Sequence, residues 1–141
     1  MSTNLTIAQP IIPHLVVDNA DAAIDFYKRA FGAVEQGRHM AEDGKRVMHA
    51  ALSIGGQPLF LNDDFPEMCG GQSTTPKALN GTPVTMHLDC PQVDTLWAQA
   101  TAAGATVVLP LADQFWGDRY GIVRDPFGHQ WSMATRSEKK N

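Results

Sequence analysis

The sequence predicts an α+β protein built from two tandem βαβββ modules, because one pattern of residues occurs twice along the chain. His14 begins an apolar run and is followed seven positions later by Asp21, and His87 is followed at the same spacing by Asp94. The number of residues from His14 to His87 is therefore the same as the number from Asp21 to Asp94. A histidine at one strand position in both copies predicts a shared site as well as a repeated fold.

The first copy carries the signals of one strand, one helix and three further strands. Residues 11–18 form an apolar, β-branched run that is typical of a strand. Residues 22–31 have apolar side chains at helical spacing, and Gly32 ends this helix because glycine enters the left-handed region freely. The remaining strands are predicted at residues 33–40, 45–54 and 58–61, with turns at residues 42–44 and 55–56.

The second copy repeats this order. A strand is predicted at residues 84–89 and a helix at residues 91–103, which ends at Gly104. The turn at residues 125–128 has a proline already set for its second position. The remaining strands of the second copy are predicted at residues 105–111, 119–123 and 129–134.

The segment that joins the copies shows no periodicity. Residues 62–83 are predicted to be a long loop, which is either a functional segment or a plain linker. We therefore expect one domain over residues 1–141. Its parts are a first module at about residues 11–62, a linker at 63–83 and a second module at about 84–135.

Composition and charge exclude several classes of partner. A net charge of −4 and a pI near 5.6 argue against nucleic acid or an acidic membrane surface. No run approaches the roughly 20 apolar residues of a membrane span, and the first residues lack the parts of a signal peptide. Cys69 and Cys90 have neither metal-binding nor redox spacing, so we expect free thiols in the cytoplasm.

Two tandem βαβββ modules with a histidine on the first strand of each resemble the vicinal oxygen chelate superfamily. This group includes glyoxalase I, extradiol dioxygenases, and the fosfomycin and bleomycin resistance proteins. Residues 113–121 (DQFWGDRYG) and 125–132 (DPFGHQWS) resemble its PhnB-like, glyoxalase-like branch. The resemblance implies curved sheets that enclose a cavity, and a homodimer. It does not identify a substrate, because one fold supports many functions.

The resemblance also implies a divalent metal held by histidines and glutamates of the first and last strands. His14 and His87 match the first-strand positions, but Phe60 and Ser132 occupy the positions of the carboxylates. We therefore expect a degenerate metal site that binds Zn, Ni, Fe or Mn weakly, if at all. Other possible ligands, none of them at a pattern-matched position, are Asn62, Asp63, Gln114 and His49.

His14 and His87 have three possible roles: catalytic acid or base, metal ligand, or buried structural histidine. A second cluster is rich in aromatic residues and is predicted to bind a small, partly planar or anionic ligand. Alternatively, its tryptophan covers the mouth of the cavity and Asp118 forms a surface pair with the arginine. His129 is expected to be exposed, and His49 to be partly exposed. The predicted ligand-binding residues are Phe60, Gln114, Trp116, Arg119 and Ser132.

The leading hypothesis is a protein that binds a small organic molecule in a cavity between its modules, with a degenerate metal site. One alternative is a divalent-metal-dependent lyase, isomerase or dioxygenase. A second alternative is a non-catalytic interaction module. The sequence contains no nucleophile elbow, phosphate loop or dinucleotide-binding glycine pattern that would indicate another class of enzyme.

Overall fold

The computed structural model describes residues 5–8 and 11–136 of the chain. The repeat predicted from the sequence is present, since each half folds in the order βαβββ. The first module consists of β1 (His14–Val17), α1 (Ala20–Phe31), β2 (Val34–Met40), β3 (Val47–Ile54) and β4 (Gln57–Asp63). The second consists of β5 (Thr85–Asp89), α3 (Val93–Ala103), β6 (Thr106–Asp113), β7 (Arg119–Arg124) and β8 (Gln130–Thr135).

The strands form two four-stranded sheets of equivalent topology. The first sheet has the order β1-β4-β3-β2 and the second has the order β5-β8-β7-β6. In each sheet the first strand of the module runs parallel to the last. The register pairs His14 with Phe60 and His87 with Ser132. The two modules therefore place their first-strand histidines at equivalent sites.

Helix α1 is fixed at both ends by its local sequence. The side chain of Asn19 accepts a hydrogen bond from the backbone of Ala22 and so caps the first turn. Gly32, with φ of 69°, ends the helix in the left-handed conformation. The apolar spacing noted in the sequence produces one buried face, formed by Ala20, Ala23, Ile24, Phe26, Tyr27, Ala30 and Phe31.

The core lies between the sheets and their helices. Helix α1 packs against α3, and aromatic side chains of both modules meet around Trp131, which is 2% exposed. Phe31 lies 4.5 Å and Tyr27 5.4 Å from the Trp131 ring, measured between centroids. The helices pack on one face of each sheet, and the opposite face is partly exposed.

The joining segment contains more structure than the sequence predicts. A short 3-10 turn (Pro66–Met68) and the four-residue helix α2 (Pro76–Leu79) interrupt the expected loop. The Thr75 side chain caps α2, and Pro76 occupies its first turn, where a missing N–H costs nothing. A helix this short has no visible periodicity in the sequence.

Among the described residues, no helix is both long and apolar enough to span a bilayer.

The predicted exposure of His129 is wrong. Only 8% of this residue is exposed, and its Nε2 atom lies 2.8 Å from the carbonyl oxygen of Val16. The contact joins the second module to β1 of the first module. A histidine after a turn glycine is typical of the surface, but here the turn lies against the other module.

Candidate functional site

The open face of the first sheet is formed by alternate residues of its four strands, which turn away from α1. It carries His14, Val16, Val34, Gln36, His39, His49, Ala51, Ser53, Pro58, Phe60 and Asn62. Residues between them on the same strands, such as Leu52 and Leu61, are buried against the helix. Period-two alternation therefore separates a core face from a face available to a ligand.

His14 is oriented by Asn62. Its Nε2 atom lies 2.5 Å from Oδ1 of Asn62, whose amide nitrogen donates to the carbonyl oxygen of Asp63 at 2.7 Å. The amide oxygen therefore faces the imidazole, and Nε2 carries the proton. In the neutral ring the lone pair lies on Nδ1.

His49 lies beside His14, a proximity that the sequence did not reveal. Its ring centroid is 5.8 Å from that of His14 and 4.7 Å from that of Phe60, in edge-on arrangements. Burial lowers the pKa of His49, and the nearby charges of His14 and His39 lower it further. The residue spacing alone does not show this contact, because it depends on the order of the strands.

The open face of the second sheet places His87 between two hydrogen-bonding partners. Its Nδ1 atom lies 2.7 Å from the hydroxyl of Ser132, and its Nε2 atom lies 3.0 Å from a carboxylate oxygen of Asp89. A carboxylate only accepts hydrogen bonds, so in the neutral ring Nε2 carries the proton and Nδ1 accepts from Ser132. Both ring nitrogens are thus bonded to the protein.

Aromatic residues extend this second face toward the loop between β6 and β7. Tyr120 stacks on His87 with centroids 6.1 Å apart, and Trp116 lies 5.6 Å from Tyr120. Trp116 is 37% exposed and its indole nitrogen donates to Asp118. Phe115 is 98% exposed and contacts Trp116 edge-on. The structure therefore brings His87, Ser132 and Trp116 together through Tyr120.

Gln114 and Arg119 lie apart from this arrangement. The amide of Gln114 donates to the carbonyl oxygens of Ala112 and Tyr120 and closes the β6–β7 hairpin. Arg119 pairs with Asp94 of α3, on the covered side of the sheet, and with Asp113. Both charged contacts raise the pKa of Arg119. Asp94 of α3 is a partner of Arg119 that the sequence analysis did not suggest.

One groove connects the two modules. It lies between β1 and β5, has a volume of about 490 Å³, and is lined by both His14 and His87. Its other lining includes Pro13, Thr85 and Met86. The histidines that the repeat singled out therefore border a common space, although each is hydrogen bonded within its own module.

These residues do not fit a resident divalent metal. Phe60 has no donor atom, and Ser132 offers a neutral hydroxyl that is bonded to His87. In residues 5–8 and 11–136, no three side chains of His, Cys, Asp or Glu are grouped so that they could hold a metal ion. A stable site for Zn or similar ions needs three or four such donors.

The fold defines a protein with two paired βαβββ modules, each of which has one sheet face away from its helix. A family model described as the Glyoxalase/Bleomycin resistance protein/Dioxygenase superfamily matches residues 7–133. The chain belongs to this superfamily.

Comparison with individual proteins gives one similar sequence of uncharacterized function and solved structures that share the fold. An uncharacterized protein of Mycobacterium tuberculosis is 57% identical over 92% of this chain and 76% of its own length. TioX from Micromonospora sp. ML1 is 29% identical, with a TM-score of 0.70 and coverage of 89% and 97%. FosX from Listeria monocytogenes, crystallised with Mn(II) and sulfate, is 14% identical and shares the fold, with a TM-score of 0.66 and coverage of 96% and 98%.

Proposed function

We propose that this protein binds a small organic molecule at its open sheet faces, without a resident metal ion. The observation that carries the proposal is the hydrogen bonding of His87, whose two ring nitrogens are held by Ser132 and Asp89. A metal would have to displace one of these partners and would find no carboxylate in the position of Phe60 or Ser132. The His87 ring therefore has no nitrogen left for a metal, whereas Nδ1 of His14 can accept a hydrogen bond from a ligand.

The chemistry of the faces supports an organic ligand with an apolar or planar part. Phe60 on the first sheet and Trp116 on the second offer aromatic surface, while Nδ1 of His14 supplies a polar atom. Apolar walls with a few oriented polar groups are typical of small-molecule sites. Trp116 is partly exposed, so a ligand that covers it gains hydrophobic contact area.

We further propose that the cavity is completed in a homodimer. The open faces are uncovered within a single chain, and the edge strand β6 exposes Val107, Val108 and Leu109 by 45%, 41% and 39%. Adjacent exposed apolar side chains on an edge strand favour association with another protein surface. The two cysteines are free, which supports a reducing compartment such as the cytoplasm.

Metal analysis of purified, untagged protein after dialysis tests the absence of a resident ion. We expect less than about 0.1 equivalent of Zn, Ni, Fe or Mn, because a two-histidine site binds such ions weakly. Stoichiometric metal that resists dialysis and is lost in His14→Ala would overturn this part of the proposal. It would favour the alternative of a metal-dependent lyase, isomerase or dioxygenase.

A thermal-shift screen of aromatic compounds tests the binding function. Compounds that raise the melting temperature should lose most of this effect in Trp116→Ala. Leu79→Ala is the matched control, since Leu79 is also an exposed apolar residue but lies in α2. If no compound binds the parent protein, the small-molecule proposal fails and a non-catalytic interaction module is favoured.

A further inference from the structure

Three histidines form a row across the open face of the first sheet. His14 lies on β1, His49 on β3 and His39 on β2, where it pairs directly with His49 across the strands. His14 and His49 have ring centroids 5.8 Å apart. Directly paired residues of adjacent strands project from the same face, so all three imidazoles share one surface.

Within the four strands of the first sheet, all of which the structure describes, no carboxylate lies on the face that carries this row. The four strands of the first sheet contain two acidic residues, Glu35 and Asp63. Asp63 is buried on the helix side, where it accepts hydrogen bonds from the backbones of Ala20 and Val47. Glu35 is also on that side, where it binds Lys28 of α1 and Arg38.

Two arginines near this sheet already have carboxylate partners. Arg38 bonds to Asp21 of α1 as well as to Glu35. Arg46, which precedes β3, bonds to Asp43 and Glu67. The polar groups beside the histidines are uncharged, namely Asn62 and the bonded pair of Gln36 and Ser53. Within the four strands of this sheet, the row therefore has no carboxylate beside it to balance a positive charge.

The second module differs at the equivalent position. His87 has the carboxylate of Asp89 at 3.0 Å, and Asp89 also pairs with Arg136. Any positive charge on His87 is therefore balanced within the protein. The open faces of the two modules therefore differ in their electrostatics, although the modules have the same fold.

We propose that the row of His14, His39 and His49 binds the acidic group of an organic anion whose apolar part packs on Phe60. This inference rests on the proposed function and specifies the class of ligand. The anion supplies the missing negative charge. It accepts hydrogen bonds from the ring N–H groups of His39 and His49, and from Nδ1 of His14 when that nitrogen carries a proton. Such charge-assisted bonds are stronger than neutral ones. Phe60 lies 4.7 Å from His49 and 6.0 Å from His14, so the aromatic surface adjoins both imidazoles.

Two probes of equal shape and different charge test the inference. We will compare 2-naphthoate with its neutral counterpart, 2-naphthamide, by isothermal titration calorimetry at pH 6.0. We expect the parent protein to bind the carboxylate at least about tenfold more tightly than the amide, a difference that corresponds to about 1.4 kcal/mol. The carboxylate is ionised at this pH.

Variants of the histidines test whether the row causes the preference for the carboxylate probe. In His39→Gln and His49→Gln an amide N–H replaces the imidazole N–H, so the donor is kept but the side chain cannot become charged. Each variant should reduce the preference for the carboxylate about threefold or more. Ser53→Ala is the matched control, because Ser53 is a neutral residue on the same face. Binding of naphthamide shows that each variant is folded.

The possible failures are distinguishable. Equal binding of both probes by the parent protein would overturn the anion inference and leave small-molecule binding intact. A preference that survives in both histidine variants would also overturn it. If neither probe binds while aromatic compounds raise the melting temperature in the wider screen, the inference fails and the proposed function stands. If that screen is also negative, both fail.

Discussion

Tyr27 of α1 donates its phenolic hydrogen to Asp125, with 2.5 Å between the two oxygens, and thereby joins the two modules through the core. Asp125 begins the turn before β8 and is 3% exposed. The same carboxylate accepts hydrogen bonds from the indole of Trp131 and from the backbones of Phe127 and His129. A buried carboxylate is stable only with such a set of donors.

Removal of the Asp125 carboxylate should lower the free energy of unfolding more than removal of one of its hydrogen-bond donors. Tyr27→Phe loses one hydrogen bond and should lower the free energy of unfolding by about 1–2 kcal/mol. Asp125→Ala leaves several buried donors without a partner and should cost about 3–5 kcal/mol, or prevent folding. Urea denaturation measures both values. Equal costs for the two variants would contradict the central role of Asp125.

Tyr27 should also make the protein sensitive to alkali. Burial raises the pKa of Tyr27 well above 10.0, and the adjacent charge of Asp125 raises it further. Below pH 10 both folded and unfolded chains keep this proton, so the contribution to stability is complete. Above pH 10 only the unfolded chain releases it, and stability falls by about 1.4 kcal/mol per pH unit until the folded pKa is reached.

The comparison of parent protein with Tyr27→Phe isolates this effect. Other groups titrate in both proteins, so the difference between their free energies of unfolding should be constant below pH 10 and shrink above it. Urea denaturation at intervals from about pH 8 to 11 provides the measurement. Parallel curves across that range would show that Tyr27 ionises equally in both states.

A glycine of β7 is required by the packing of α3. A Cβ atom at Gly121 would lie 2.6 Å from the Trp97 ring and 2.8 Å from Cα of Leu111. Backbone cannot yield easily, so Gly121→Ala should destabilise the fold by about 1–3 kcal/mol. Gly37→Ala is the control, because Gly37 is also in a strand but has no atom within 4 Å of the corresponding position. Loss of equal stability in both variants would refute the packing argument.

The sequence predicts the fold better than it predicts the site. The repeat, the helix spacing and the turn glycines are local signals, and they correctly indicate two βαβββ modules. The contacts of His87 with Tyr120, and of His14 with His49, depend on which strands become neighbours. Such contacts arise from strand order and register, which a single sequence does not display.

The same reason explains the correction for His129 and the separate position of Arg119. The turn before His129 has the signature of an exposed hairpin, but its burial depends on the other module. Arg119 follows an aromatic loop and resembles a ligand-binding residue in sequence. Alternation along β7 instead turns it toward α3, where Asp94 is available.

Arg119 and Trp116 should therefore differ in their effect on ligand binding. We expect Trp116→Ala to weaken binding of an aromatic hit from the thermal-shift screen by at least about tenfold, since aromatic contact area is lost. Arg119→Gln should change the affinity less than about twofold, because exposed ion pairs contribute little beyond their own contact. Calorimetric titration of both variants checks this. A larger effect of Arg119→Gln would place the arginine in the site.

A single carboxylate should convert the second module toward metal binding. Ser132 stands where the family resemblance places a glutamate, and it contacts His87 directly. Ser132→Glu should bind Zn or Mn at least about tenfold more tightly than the parent protein, because a charged oxygen donor is added next to His87. Ser132→Gln, which has the same size without the charge, is the control. If both variants bind metal as weakly as the parent protein, the lack of a carboxylate at position 132 is not what prevents a metal site. The hydrogen bond from His87 to Asp89 is then the next contact to remove.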